Sequence, residues 1–152
     1  MTDTHNLAHL IYASSPSSPF EPESLRQILH QARASNARRG VTGMLLYTHS
    51  SFFQVLEGED GTLQRLFERI CADTRHTDVV RIIHEPIARR MFGDWTMGYL
   101  EADPPELLRI EGLEDFFMQG QSLSQLGPGR AKKLLMAFTA GHWRRSPPDA
   151  NR

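Results

Sequence analysis

VTGMLLY (residues 41–47) and FFQVLEG (residues 52–58) are two short runs rich in apolar, β-branched and aromatic residues, separated by the four small or polar residues THSS. Runs of that length and composition read as strands, and a four-residue connection is the length of a hairpin loop, so the two should pair antiparallel. Before the hairpin lies ESLRQILHQARASNARRG (residues 23–40), with Leu25, Ile28, Leu29 and Ala32 at helical spacing and Gly40 where the chain leaves the helix. After it, Asp60 is placed to cap a second helix whose apolar stripe is Leu63, Leu66, Phe67 and Ile70.

Further out, LAHLIYA (residues 7–13) runs into the turn residues SSPSSP and reads as a first strand. VVRIIHEPIA (residues 79–88) offers a fourth, in which Pro86 removes a ladder donor and favours an edge or a bulge. WTMGYL (residues 95–100) makes a fifth. The order β-α-β-β-α-β-β is an α+β, ferredoxin-like plan with one added strand, a single sheet carrying two helices on one face. Beyond Pro104 and Pro105 the apolar residues Leu107, Leu108, Leu113, Phe116, Phe117, Leu134, Leu135 and Phe138 predict short C-terminal helices. These would cover the bare sheet face or form a homodimer contact, because an apolar face does not stay exposed.

Charge and composition remove several function classes. Seventeen Lys and Arg against 18 Asp and Glu give no positive field for nucleic-acid binding. Cys71 is the only cysteine, which excludes an internal disulfide or a cysteine-rich zinc site; it is expected to be a small buried apolar residue in a reducing cytoplasm. His5 and His9 are four apart, and no further ligand joins them at a metal-site spacing. No run reaches the 18 or so apolar residues of a membrane span, and MTDTHN lacks the order of a signal peptide, so a cytoplasmic protein with no membrane partner is expected.

Polar residues at core positions carry the functional signal. Side chains alternate along a strand, so Tyr12 shares a face with Leu10 and Ala8, and Gln54 with Phe52 and Leu56. Asn36 lies four past Ala32 and seven past Leu29, continuing the core stripe of the first helix; Asp73, three past Ile70, does so on the second. A buried polar group left unpaired costs about 1–3 kcal/mol, so a core holding Tyr, Gln, Asn and Asp should also hold their partners. Backbone carbonyls and water would serve, and so would a planar polar ligand under the two helices.

The same residues resemble the BLUF domain, a family of blue-light sensors using FAD. The resemblance rests on LIYAS with Tyr12, SNARRGVTGMLLY with Asn36, FFQVLEG with Gln54, DTRH from Asp73 to His76, and RRMFGDWTMGYL with Trp95 and Met97. It implies a photosensor domain over residues 5–100; the C-terminal helices then form an output or oligomerisation extension over 101–145, and SPPDANR has the composition of a disordered tail over 146–152. It implies FAD as cofactor, with FMN or riboflavin loading left open. Tyr12 and Gln54 would be the photoactive pair, Asn36 would hydrogen-bond the polar edge of the isoalloxazine, and Ile28 would pack against the ring. Asp73, Arg75 and His76 would lie near the ribityl chain and phosphates, with Arg33 a further phosphate candidate. Ser35 stands where some members carry a second asparagine.

By the same resemblance, light draws an electron and a proton from Tyr12, and the Gln54 amide ends rearranged so that it donates to the flavin C4 carbonyl and shifts absorption to the red. Trp95, Met97 and Tyr99 fall on one face of the last strand and would pass the signal on, with either Trp95 or Met97 beside Gln54. The expected protein is a non-enzymatic photoreceptor acting on a separate effector protein, as a homodimer or higher homo-oligomer. The alternatives are a light-independent flavin-binding protein or small flavoenzyme, and a plain ferredoxin-like interaction module.

Overall fold

The central hairpin forms as its sequence predicts and the other elements assemble around it. A computed structural model describes residues 6–16, 22–48, 51–93, 96–101, 113, 123 and 126–139. In chain order the elements are β1 (Leu7–Pro16), α1 (Pro22–Arg39), β2 (Thr42–Thr48), β3 (Ser51–Glu59), α2 (Asp60–Ala72), β4 (His76–Pro86), β5 (Gly98–Glu101) and α3 (Pro128–Thr139). One five-stranded sheet has the order β4-β1-β3-β2-β5, antiparallel except for the β2–β5 pair, which is parallel. This is the expected ferredoxin-like arrangement with its added strand. The hairpin is tighter than the sequence suggested, because pairing continues to Thr48 opposite Ser51.

Local chemistry explains the element ends. At the end of α1, Gly40 adopts φ +69°, and the Val41 amide reaches back to the Asn36 carbonyl at 2.9 Å, the Schellman closure that glycine permits. The cap of α2 is Glu59 and not Asp60: the Glu59 carboxylate accepts from the Thr62 amide at 2.9 Å. Asp60 is then free to reach sideways, and its carboxylate holds the His84 ring at 2.6 Å, tying α2 to β4. Pro86 closes β4, which is an edge strand as expected, and the β1–β4 ladder carries two register shifts.

Alternation along the strands builds two cores. On the helix side Leu10, Tyr12, Leu45, Leu56 and Met97 pack with Leu25 and Leu29 of α1 and Leu63 of α2. On the far side Ile11, Ala13, Met44, Leu46, Phe53, Val55 and Ile83 pack with Leu113, Leu123, Leu126 and the α3 residues Ala131, Leu134 and Leu135. Of the two roles open to the C-terminal residues, the described ones take that of covering the bare sheet face. Leu107, Leu108, Phe116 and Phe117 lie outside the described residues. Cys71 is exposed, contrary to the burial expected of it, because it falls on the outer side of the last turn of α2. Among the described residues no helix is long and apolar enough to cross a membrane.

Because β4 and β5 sit at opposite edges, the chain between them must cross the sheet, and it does so on the far face, where Phe92 joins the core. Glu57, fully buried on that face of β3, fastens the crossing. Its carboxylate accepts from the Met91 amide at 2.6 Å, the Phe92 amide at 3.1 Å and the Thr42 hydroxyl at 2.9 Å. Arg90 adds bonds to the Gly40 and Glu57 carbonyls and to Thr42.

Candidate functional site

Between α1 and α2, above the sheet, lies a cavity of about 820 Å³. Its walls are Ile28, Leu29 and Ala32 of α1 and Leu66 and Ile70 of α2, and its floor is Tyr12, Leu45, Phe52, Gln54 and Leu56. Ile28, Leu66 and Ile70 remain half-exposed although each lies on its helix's apolar stripe, since the side they present to the cavity meets no protein.

Tyr12 and Gln54 are direct cross-strand partners in the β1–β3 register, which places both side chains on the cavity floor. The Tyr12 hydroxyl donates to Gln54 Oε1, and Gln54 Nε2 donates to the Met97 Sδ at 3.2 Å. All three side chains are buried. The phenol edge meets Phe67 of α2 in a T-shaped contact, with ring centroids 5.7 Å apart. Burial pushes the Tyr12 phenol well above its ordinary range, and the nearby Asp73 charge adds to the effect, so the phenol stays protonated and is held as a donor.

The remaining predicted residues divide. Asn36 is buried, lines the cavity, and donates from Nδ2 to the Thr96 carbonyl at 2.7 Å. Ile28, Asp73 and Arg75 also line it. Arg75 forks onto Asp73, with Nη2 to Oδ2 at 2.6 Å, and reaches Gln31 at 3.3 Å; the Asp73 hydrogen bond holds its guanidinium above the ordinary arginine range. Ser35 lines the cavity and accepts from Arg39 at 2.8 Å. Arg33 is not among the lining residues, and its Nε donates to the Met97 carbonyl at 3.0 Å. His76 opens β4 opposite Pro16, its side chain lying outside what is described. Trp95 lies outside the described residues.

Met97 is the residue beside Gln54, which it reaches from just ahead of β5 and not from within a strand over residues 95–100. Three lining arginines went unnoticed in the sequence: Arg38 and Arg39 at the end of α1, and Arg69 on α2. Helical spacing marks them. Arg38 is three past Ser35, Arg39 three past Asn36, and Arg69 four before Asp73.

A family model described as BLUF, sensors of blue-light using FAD, matches residues 7–98. The chain is 40% identical over 94 residues to the photoactivated adenylate cyclase subunit beta of Euglena gracilis, a match covering 60% of this chain and 11% of that protein. It thus spans about a tenth of the length of the curated relatives it matches. Among solved structures, the BLUF protein BlrB in its dark state is similar with a TM-score of 0.73 and 31% identity, over 90% of this chain and 98% of that one. BlsA in its ground state gives 0.72 and 30%, over 88% and 87%. The cavity between α1 and α2, the buried phenol and amide on its floor and these likenesses agree, and the chain belongs to the BLUF family of blue-light sensors using FAD.

Proposed function

We propose that this chain senses blue light by resetting the Tyr12–Gln54–Met97 hydrogen-bond chain under a flavin ring, and passes the change to an effector protein without enzymatic chemistry of its own. The observation that carries the reading is the orientation of the Gln54 amide: its oxygen is taken by a phenol, and its NH₂ faces a thioether, a weak acceptor. A buried amide donor so weakly matched favours any strong acceptor offered in the cavity. The residues fit a flavin, with apolar walls for a flat ring, Asn36 and Gln54 for its amide-like edge, and Arg38, Arg39, Arg69 and Arg75 for phosphates. When bound, the flavin supplies the blue absorption and an excited state that accepts an electron.

The chain's own residues do the rest. The Tyr12 proton already points at Gln54 Oε1, so a phenol losing an electron has an acceptor for its proton at that oxygen. Tyrosine gives up both without leaving net charge on its ring. Gln54 is two-ended: rotation exchanges the end facing Tyr12 with the end facing Met97, and tautomerisation turns the oxygen facing Tyr12 from acceptor to donor without moving either end. Met97, displaced or retained, carries the difference to β5, which pairs with the middle of β2. Output then runs through β5 and the C-terminal helix, and the exposed Met136 of α3 offers one point for contact with a second chain or an effector. The photoactivated cyclase relative carries the corresponding module within a much longer protein.

An absorption spectrum before and after blue light tests the reading. A flavin spectrum that moves to longer wavelength and recovers in darkness is expected. A bound flavin indifferent to light, reduced and reoxidised with substrate in the dark, refutes it.

A further inference from the structure

We infer that Arg33 is a positioning residue for the photoactive amide, fixing Met97 against Gln54 from outside the flavin cavity; this rests on the sensor reading above. Met97 lies at a bend immediately before the first β2–β5 pair, Met44 with Gly98, where strand pairing has yet to hold the backbone. Two side chains of α1 hold it instead. Asn36 Nδ2 donates to the Thr96 carbonyl at 2.7 Å and Arg33 Nε to the Met97 carbonyl at 3.0 Å. The two are three residues apart, so one helical turn grips two successive carbonyls of the segment approaching β5. Hydrogen bonds from a charged group are about twice as strong as neutral ones, which makes Arg33 the firmer of the two holds.

The clamp matters because of what it holds. Met97 is fully buried, and its unbranched, flexible side chain fills whatever space its backbone assigns. Its Sδ is the partner of Gln54 Nε2 at 3.2 Å, and through that weak contact it selects the amide orientation in which Oε1 faces Tyr12. A small drift of the Met97 backbone changes that selection at little cost. Arg33 therefore acts on Gln54 through Met97, from outside the cavity lining that Arg38, Arg39, Arg69 and Arg75 share.

The full chain with Arg33→Ala, Arg33→Gln and Arg33→Lys tests this by three measurements. Loss of a hydrogen bond to a charged group, at a factor of ten per 1.4 kcal/mol, should change the dark-recovery rate of Arg33→Ala by about tenfold or more. Amide exchange at Met97 and Gly98 should quicken by a similar factor, in flavin-free as well as flavin-loaded protein. The ratio of FAD to riboflavin dissociation constants should stay within about twofold of the parent, since Arg33 is not among the residues lining the cavity. Lysine, a single-point donor, should restore part of both effects, and glutamine less. A fall of about tenfold in FAD preference with unchanged recovery would make Arg33 a phosphate ligand and overturn the inference. Unchanged exchange at Met97 and Gly98 overturns it as well. Flavin binding without any light response in the parent chain would defeat the sensor reading instead, while the exchange measurement on flavin-free protein still decides the clamp.

Discussion

Glu57→Ala should destabilise the protein far more than its distance from the cavity suggests. The carboxylate is fully buried and is the acceptor for the Thr42 hydroxyl and the Met91 and Phe92 amides. Met91 is exposed, so water replaces that partner; Phe92 is 7% exposed and Thr42 partly buried, so two donors stay unmatched. At about 1–3 kcal/mol for each orphaned donor the loss is about 2–6 kcal/mol, a large share of a stability of about 5–15 kcal/mol. Glu57→Gln keeps one acceptor oxygen and turns an NH₂ toward donors, so it should lose roughly half as much. Urea unfolding reads the loss as a lower midpoint at unchanged slope, and thermal unfolding as a drop of about 2–4 °C for each kcal/mol. An alanine variant within about 0.5 kcal/mol of the parent would refute the reasoning, because that is the range of a surface substitution.

Tyr12→Phe should bind flavin and show no light-induced red shift, since it lacks the proton that points at Gln54; a normal photocycle in this variant removes Tyr12 from the mechanism. Gln54→Leu should likewise hold flavin with a fixed spectrum, and a persisting shift would remove the amide. Gly43→Ala should cost about 2 kcal/mol or more, because a Cβ there would overlap the Val55 carbonyl across the β2–β3 ladder and backbone cannot yield as a side chain does; a stable variant would show that the strands re-register. The His9 hydrogen bond, aided by Lys132, holds the Glu85 carboxyl below the ordinary carboxylate range. A depressed folded value means this support is present above about pH 4.5 and is lost as pH falls below it. Hence the stability difference between the parent and Glu85→Gln, followed by urea midpoints, should shrink through that window, and a constant difference would refute the sign.

The fold was readable because its signals are local and mutually consistent. Hairpin composition, the stripe of α1, the break at Gly40 and the proline closing β4 each point to the same sheet, and the register Tyr12 opposite Gln54 follows from alternation in two strands. The site was readable where polar residues interrupt an apolar pattern, as at Tyr12, Asn36 and Gln54. Glu57 interrupts the pattern equally, but its partners are backbone amides of a distant crossing whose path no local rule supplies. Arg33 illustrates the converse. Its position on α1 is predictable, yet whether a guanidinium turns into a cavity or onto a carbonyl depends on where residues 96 and 97 arrive, a consequence of sheet order. The cap of α2 failed for a subtler reason, because Glu59 and Asp60 are adjacent and tertiary demand from His84 decides between them.

These long-range contacts converge on one segment. Met91 and Phe92 are gripped on the far face by Glu57, Thr96 and Met97 on the helix face by Asn36 and Arg33, and Met97 also by Gln54 itself. Gln54 and Glu57 lie three residues apart on β3 and point to opposite faces, so a single strand holds the crossing from both sides. A rearranged amide is worth about 1–3 kcal/mol, which is too little to unfold such a segment but enough to shift its preferred position, and a partner's affinity with it, by about 5–150-fold. Phe92 packs in one far-face cluster with Leu134 and Leu135 of α3, so a shift of the segment would reach that helix. Gln54 and the helix that covers the opposite face are thus one sheet thickness apart, and the proposed rearrangement of the amide would pass between them through the residues that Glu57, Asn36 and Arg33 hold.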